Sequence, residues 1–221
     1  MNCFSSQFNK YIKLTPTFRY VKKYIFNNKI KIDHVAHRTF NYQHLKNFYC
    51  QNNFVVQRDK YFFDNIKTSA IWMKSLKPNC HNSFRIFLSQ YEGDEQCKDI
   101  KVNSYDDYKI IQQGNDYVAW TLLHKNDINH VAIEVDDIEQ IIDKVKKDGT
   151  IQLNNEYNPI VISQDKKLLQ ASTVSDKILY EFPNGELRLV PYTFVEFIQR
   201  KDGREGFETK NATQIFTSTH L

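Results

Sequence analysis

Two histidines, a glutamate and an arginine are the residues of this chain whose types and spacing suggest chemistry. The stretch Lys31 to Phe40, KIDHVAHRTF, reads as a β-strand. Alternation at period two puts His34, Ala36 and Arg38 on one face, with Val35 and His37 on the other. A second stretch, NHVAIEV, carries His130 near its start. A third, YTFVEFIQR, sets Glu196 among aromatic and aliphatic neighbours, where a carboxylate is costly unless it is paired or metal-bound. Two neutral imidazoles and one carboxylate make the facial triad of non-haem Fe(II) sites, which leaves positions open for substrate and O2. Glu134 competes for the carboxylate role, because it lies on the strand of His130 and shares its face.

These residues need elements to position them. After the opening strand, Asn41 can cap a helix with Leu45, Phe48 and Tyr49 on one side. Strands are expected at Phe54 to Phe62, Ser69 to Lys74 and Ser83 to Gln90, with Lys77-Pro78-Asn79 as a turn. The order is β-α-β-β-β. It restarts at Ile128 with INHVAIEV, followed by a helix capped by Asp137, carrying Ile138, Ile141, Ile142 and Val145 on one face and ending at Gly149. Strands are expected at Ile160 to Ser163, Lys167 to Val174, Ile178 to Phe182 and Leu187 to Ile198, the last two joined by a Pro183-Asn184-Gly185 turn. His34 and His130, 96 positions apart, occupy equivalent places in the two units. A pseudo-twofold packing of the units would bring them together.

The reading that follows is an α+β fold of two βαβββ modules enclosing a site, with helical additions. Residues 1–30 form a covering segment with a short helix around Phe18 to Phe26, 31–90 the first module, 91–127 a helical insertion, and 128–221 the second module with a tail. All of it forms one compact domain.

Composition narrows the classes. The chain has 221 residues, 41% hydrophobic and 14% aromatic, with only 6 Gly and 5 Pro, which describes an ordered globular protein. Its net charge of +4 comes from 30 basic and 26 acidic residues interleaved along the sequence, so no concentrated basic patch points to nucleic acid. No stretch approaches the roughly 20 apolar residues of a membrane span, and MNCFSSQFNKYIK has no apolar leader core. The four cysteines fall in no metal or redox spacing and are read as reduced thiols in a cytoplasmic protein. Asn211-Ala212-Thr213 is a glycosylation sequon, expected to be idle.

Several short motifs in order carry a resemblance: DHVAHRT, RIFLSQ at Arg85 to Gln90, INH at Ile128 to His130, LLQAST at Leu168 to Thr173, VPYTFVEFIQR at Val190 to Arg200, and the closing GF and IFTST. Together they resemble the 2-oxoadipate dioxygenase/decarboxylase family, also called hydroxyglutarate synthase, of the vicinal oxygen chelate superfamily. The resemblance runs from about residue 31 to residue 219. It implies an Fe(II) enzyme that converts 2-oxoadipate and O2 to 2-hydroxyglutarate and CO2, with His34, His130 and Glu196 as metal ligands and Arg38 binding a substrate carboxylate. It is the VPYTFVEFIQR match that favours Glu196 over Glu134. Gln170 and Ser172 share a strand face and could line the pocket. The chain departs from the family pattern at His37, where relatives tend to carry an apolar aromatic, and at Gln90, where an acidic residue is common. Two other readings keep the fold: a metal-dependent isomerase, lyase or different dioxygenase, and a non-catalytic binding module. The oligomeric state is not legible.

Overall fold

The computed structural model of the chain describes residues 3–76 and 84–218. The expected Lys77-Pro78-Asn79 turn, Cys80, His81, Ser83 and His220 lie outside the described residues. The N-terminal segment forms α1 (Cys3–Leu14) and α2 (Pro16–Tyr20), the latter running on into a π-helical turn over Val21–Ile25. Only the second of these was expected from the sequence. Tyr11, Phe18, Val21 and Ile25 are buried in the main core.

The first unit follows as β1 (Lys31–Thr39), α3 (Gln43–Gln51), β2 (Phe54–Phe63), β3 (Thr68–Ser75) and β4 (Arg85–Tyr91). Two helices come next, α4 (Tyr105–Gly114) and α5 (Asp116–His124). The second unit is β5 (Ile128–Glu134), α6 (Ile138–Asp148), β6 (Val161–Ile162), β7 (Leu168–Ser172), the hairpin β8 (Lys177–Glu181) and β9 (Leu187–Pro191), and then β10 (Phe194–Arg200). A last helix, α7 (Thr209–Ser218), closes the described chain. Among the described residues no helix is long and apolar enough to cross a membrane.

Eight strands form one sheet in the order β2-β3-β4-β1-β5-β10-β7-β6. Leaving aside the separate β8–β9 hairpin, each unit contributes its strands in the sequence first, fourth, third, second outward from the centre. In both units the first strand runs parallel to the fourth, and β1 meets β5 antiparallel where the units join. This is the two-module α+β architecture expected. The expected continuous strand Leu187 to Ile198 is in fact two strands. Pro191 has no N–H with which to continue a ladder, Tyr192 and Thr193 bond back to Asp176, and β10 then leaves the hairpin for the main sheet.

Strand alternation sorts the side chains by face. Val35, Val131, Ile133, Val195 and Phe197 point into the main core beneath α3, α6 and the N-terminal helices. On α6, Ile138, Ile142 and Val145 are buried, each worth about 2 kcal/mol of removed apolar surface. Ala36, Trp72 and Phe87 belong to a separate cluster with Phe207, on the face that carries the site.

Candidate metal centre

The junction between the units positions the candidate donors. On β1, Ala36 lies opposite His130 of β5, and His34 opposite Ala132, so the two imidazoles reach toward each other across the pseudo-twofold axis. β10 runs beside β5 with Phe194 next to His130, which sets Glu196 next to Ala132 and two residues further along. All three side chains are buried. His34 Nε2 is 3.3 Å from His130 Nε2 and 3.7 Å from Glu196 Oε2, and His130 Nε2 is 3.3 Å from the same oxygen. Glu134, the rival carboxylate, points elsewhere and pairs with Lys31 at 2.6 Å. Among the described residues, His34, His130 and Glu196 are the group with metal-ligand geometry.

The same registers show what completes the ring of symmetry-related positions. In the first unit His34 lies beside Arg85, so the counterpart of Glu196 is Phe87, two residues on. Phe87 lines the cavity over the three donors, together with Gln170, Phe207, Ala212 and Ile215. The site therefore has three donor side chains and, in the fourth symmetric position, an apolar one.

Hydrogen bonds set the state of each donor. Asp33 Oδ1 accepts from His34 Nδ1 at 2.9 Å, and Asn129 Oδ1 accepts from His130 Nδ1 at 3.1 Å. With Nδ1 carrying the proton, each neutral ring turns its Nε2 lone pair into the centre, the arrangement that ligating histidines adopt. Asp33 also accepts from Arg85 Nη1 at 2.8 Å and from Arg200 Nε and Nη2 at 2.7 and 3.0 Å. Burial alone would raise the Asp33 carboxyl, but His34 and Arg200 hold it well below the usual carboxylate range. Burial pushes His130 down to about 4, so it is a neutral imidazole. Burial opposes ionisation of Glu196, yet the two histidines and Gln170 hold it below its ordinary value.

Three lone pairs thus converge with only a shared proton or a cation able to sit among them. Donors roughly 2.0–2.2 Å from one cation stand about 3.0–3.5 Å apart, close to the spacings here. The donor set fits a divalent transition metal.

Arg38 is fully buried on the same strand face. Its Nη1 is 3.4 Å from Asp116 Oδ2, and its guanidinium lies over the rings of Tyr117 and Trp120 at 5.4 and 5.7 Å. All three partners come from α5, so the helical stretch between the units wraps Arg38. The guanidinium is close enough to help depress His130, though Arg38 is not part of the cavity wall over the donors. That cavity is small, about 20 Å3.

Sequence reasoning missed Asp33, Asn129, Arg85, Arg200, Phe87, Phe207 and Asn211 as parts of the site. A signal existed for the first two, since each immediately precedes its histidine. Gln170 lines the cavity and donates to Glu196 Oε1 at 2.8 Å, whereas Ser172 turns to Asn154.

A family model for 2-oxoadipate dioxygenase/decarboxylase matches residues 93–202. A hydroxyglutarate synthase from Oryza sativa, crystallised in complex with 2-oxoadipate, superposes with a TM-score of 0.84 at 25% identity, over 98% of this chain and 90% of that one. The chain is similar to the 2-oxoadipate dioxygenase/decarboxylase family over about half of its length. The chloroplastic 2-oxoadipate dioxygenase/decarboxylase of Arabidopsis thaliana is 32% identical over 135 residues, covering 51% of this chain and 36% of that protein. The chain thus matches little more than a third of the length of this curated relative. A protein of the glyoxalase superfamily from Ralstonia eutropha shares the fold, with a TM-score of 0.76 at 16% identity over 90% of this chain and 82% of that one.

Proposed function

We propose that the protein is an Fe(II)-dependent decarboxylating dioxygenase that converts 2-oxoadipate, or a similar 2-oxo dicarboxylic acid, and O2 to 2-hydroxyglutarate and CO2. The observation that carries this reading is the buried set of two histidines and one glutamate whose fourth symmetric position is Phe87, in a chain similar to this family. The 2-oxoadipate bound to the rice relative supports the choice of substrate. The reaction balances: C1 leaves as CO2, one oxygen atom of O2 makes the keto carbon a new carboxyl group, and the other hydroxylates its neighbour.

His34, His130 and Glu196 would hold the ion. When bound, Fe(II) would supply a chelation point for a 2-oxo acid and would activate O2, the electrons for its reduction coming from the oxo acid. Asp33 and Asn129 keep the Nδ1 protons in place, so both rings offer Nε2. Arg38 would grip a substrate carboxylate, a task suited to a planar guanidinium already held by Asp116 and two aromatic rings. Phe87 and Phe207 exclude water from the reacting face.

The test is turnover by protein loaded anaerobically with Fe(II). Adding 2-oxoadipate and O2 is expected to give equal amounts of O2 consumed and CO2 released, with 2-hydroxyglutarate as product. His130→Ala should abolish this while the circular dichroism spectrum stays native. Consumption of 2-oxoadipate without O2 uptake by protein loaded with redox-inert Zn2+ would instead favour an isomerase or lyase.

A further inference from the structure

The hydrogen bonds of Glu196 do not stop at Gln170. Glu196 Oε1 accepts from Gln170 Nε2 at 2.8 Å, and Gln170 Oε1 accepts from Asn211 Nδ2 at 3.0 Å. Both amide side chains are buried, Asn211 completely. The direction of this chain is set by chemistry. An ionised carboxylate can only accept, so Gln170 must present its NH2 group to Glu196. Its carbonyl then faces Asn211, which must donate.

Asn211 lies in the first turn of α7, the helix whose Ala212 and Ile215 line the cavity over the three donors. The segment leading into α7 is tied to the other side of the site. Arg200, which grips Asp33 behind His34, also donates through Nη1 to Gly206 O at 2.7 Å and lies 5.2 Å from the Phe207 ring centre. Phe207 in turn stands edge-on to the His34 ring at 4.9 Å. Two separate routes, one from Glu196 and one from His34, therefore end on residues 206–215.

We infer that Asn211 is a positioning residue of the metal centre: acting through Gln170, it fixes the rotation of the Glu196 carboxylate so that Oε2 faces the two imidazoles, and this makes α7 part of the metal site. Metal binding and the docking of α7 are then linked and must strengthen each other reciprocally. A glycan on the buried Asn211 of the Asn211-Ala212-Thr213 sequon would break the relay. The inference rests on the metal-binding reading proposed above and adds to it the C-terminal helix.

The test uses Mn2+ as the probe on the full chain, by calorimetric titration of wild type, Gln170→Leu, Asn211→Leu and the double variant. Leucine keeps the side-chain size and removes the donor. Each single variant is expected to weaken Mn2+ binding about tenfold or more, the usual cost of losing a residue that orients a ligand. The double variant is expected to be no weaker than Gln170→Leu alone, because the two act in series. Hydrogen exchange of the α7 amides should slow on adding Mn2+ to wild type and not to Asn211→Leu. Wild-type affinity in Asn211→Leu, additive losses in the double variant, or α7 exchange in wild type that ignores Mn2+ would each overturn the inference while leaving the site itself standing. The wild-type exchange measurement decides the matter even if a variant does not fold. Wild type that takes up no Mn2+ would overturn this inference and the metal reading together.

Discussion

His34 and His37 sit three residues apart on β1 and are put to opposite use by the face each occupies. The His34 ring faces the junction of the units with Nε2 directed at two other acceptors, while both nitrogens of His37 are satisfied in the core. His37 Nδ1 donates to Asn126 O at 3.0 Å, and Tyr49 Oη donates to Nε2 at 2.8 Å. These bonds give a physical reason for a histidine at this buried position of the strand. Burial pushes His37 down to about 4, and His124, which donates to Pro191 O, likewise to about 4. Unfolded histidine titrates near 6.5, so between those values the unfolded chain binds more protons. The stability these residues lend is then complete above about pH 6.5 and is lost as pH falls toward 4. Denaturant midpoints are expected to drop over that interval. His124→Gln, which keeps a donor for Pro191, should show a shallower drop, and an unchanged one would remove His124 as a source.

Among the elements, α6 is written in local chemistry from end to end. Asp137 Oδ1 accepts from Gln140 N at 3.0 Å, and Gly149 takes the left-handed conformation that ends the helix, φ +72°. Asp137→Ala is expected to cost about 1 kcal/mol in a denaturant titration, with the metal centre untouched because α6 lies on the opposite face of the sheet. The helix α5 is different in kind. Its sequence announces a helix and nothing of its task, which is to wrap Arg38 with Asp116, Tyr117 and Trp120. The break between β9 and β10 also depends on a distant partner, because Tyr192 and Thr193 turn aside to bond Asp176.

At the scale of the whole molecule, two similar units meet edge to edge and share one site, to which they contribute unequally. The first gives His34 and Phe87, the second His130 and Glu196. Phe87 is the element of asymmetry, since a carboxylate there would mirror Glu196. On the proposed function, Phe87→Glu would add a fourth donor beside the three, and is expected to tighten Mn2+ binding and to abolish 2-oxoadipate turnover. Calorimetry and O2 uptake together check this, and retained turnover would show that the open face does not lie toward Phe87.

The sequence by itself determined the order of most elements between β1 and β7, the two-unit repeat and the faces of β1. Those follow from local rules: period-two alternation, helix caps, and turn residues that act on their own neighbours. It also singled out His34 and His130 by their equivalent places in the repeat. The choice of Glu196 over Glu134 could not come from alternation, which served both equally. Tertiary structure decided it, because β10 lies beside β5 in a register that sends Glu196 to the imidazoles while Glu134 meets Lys31 at the strand end. The same holds for Asp33 with Arg85 and Arg200, and for Gln170 with Asn211. Their partners stand 41 to 167 positions apart, and only the folded sheet brings such distant hydrogen-bonding groups into contact.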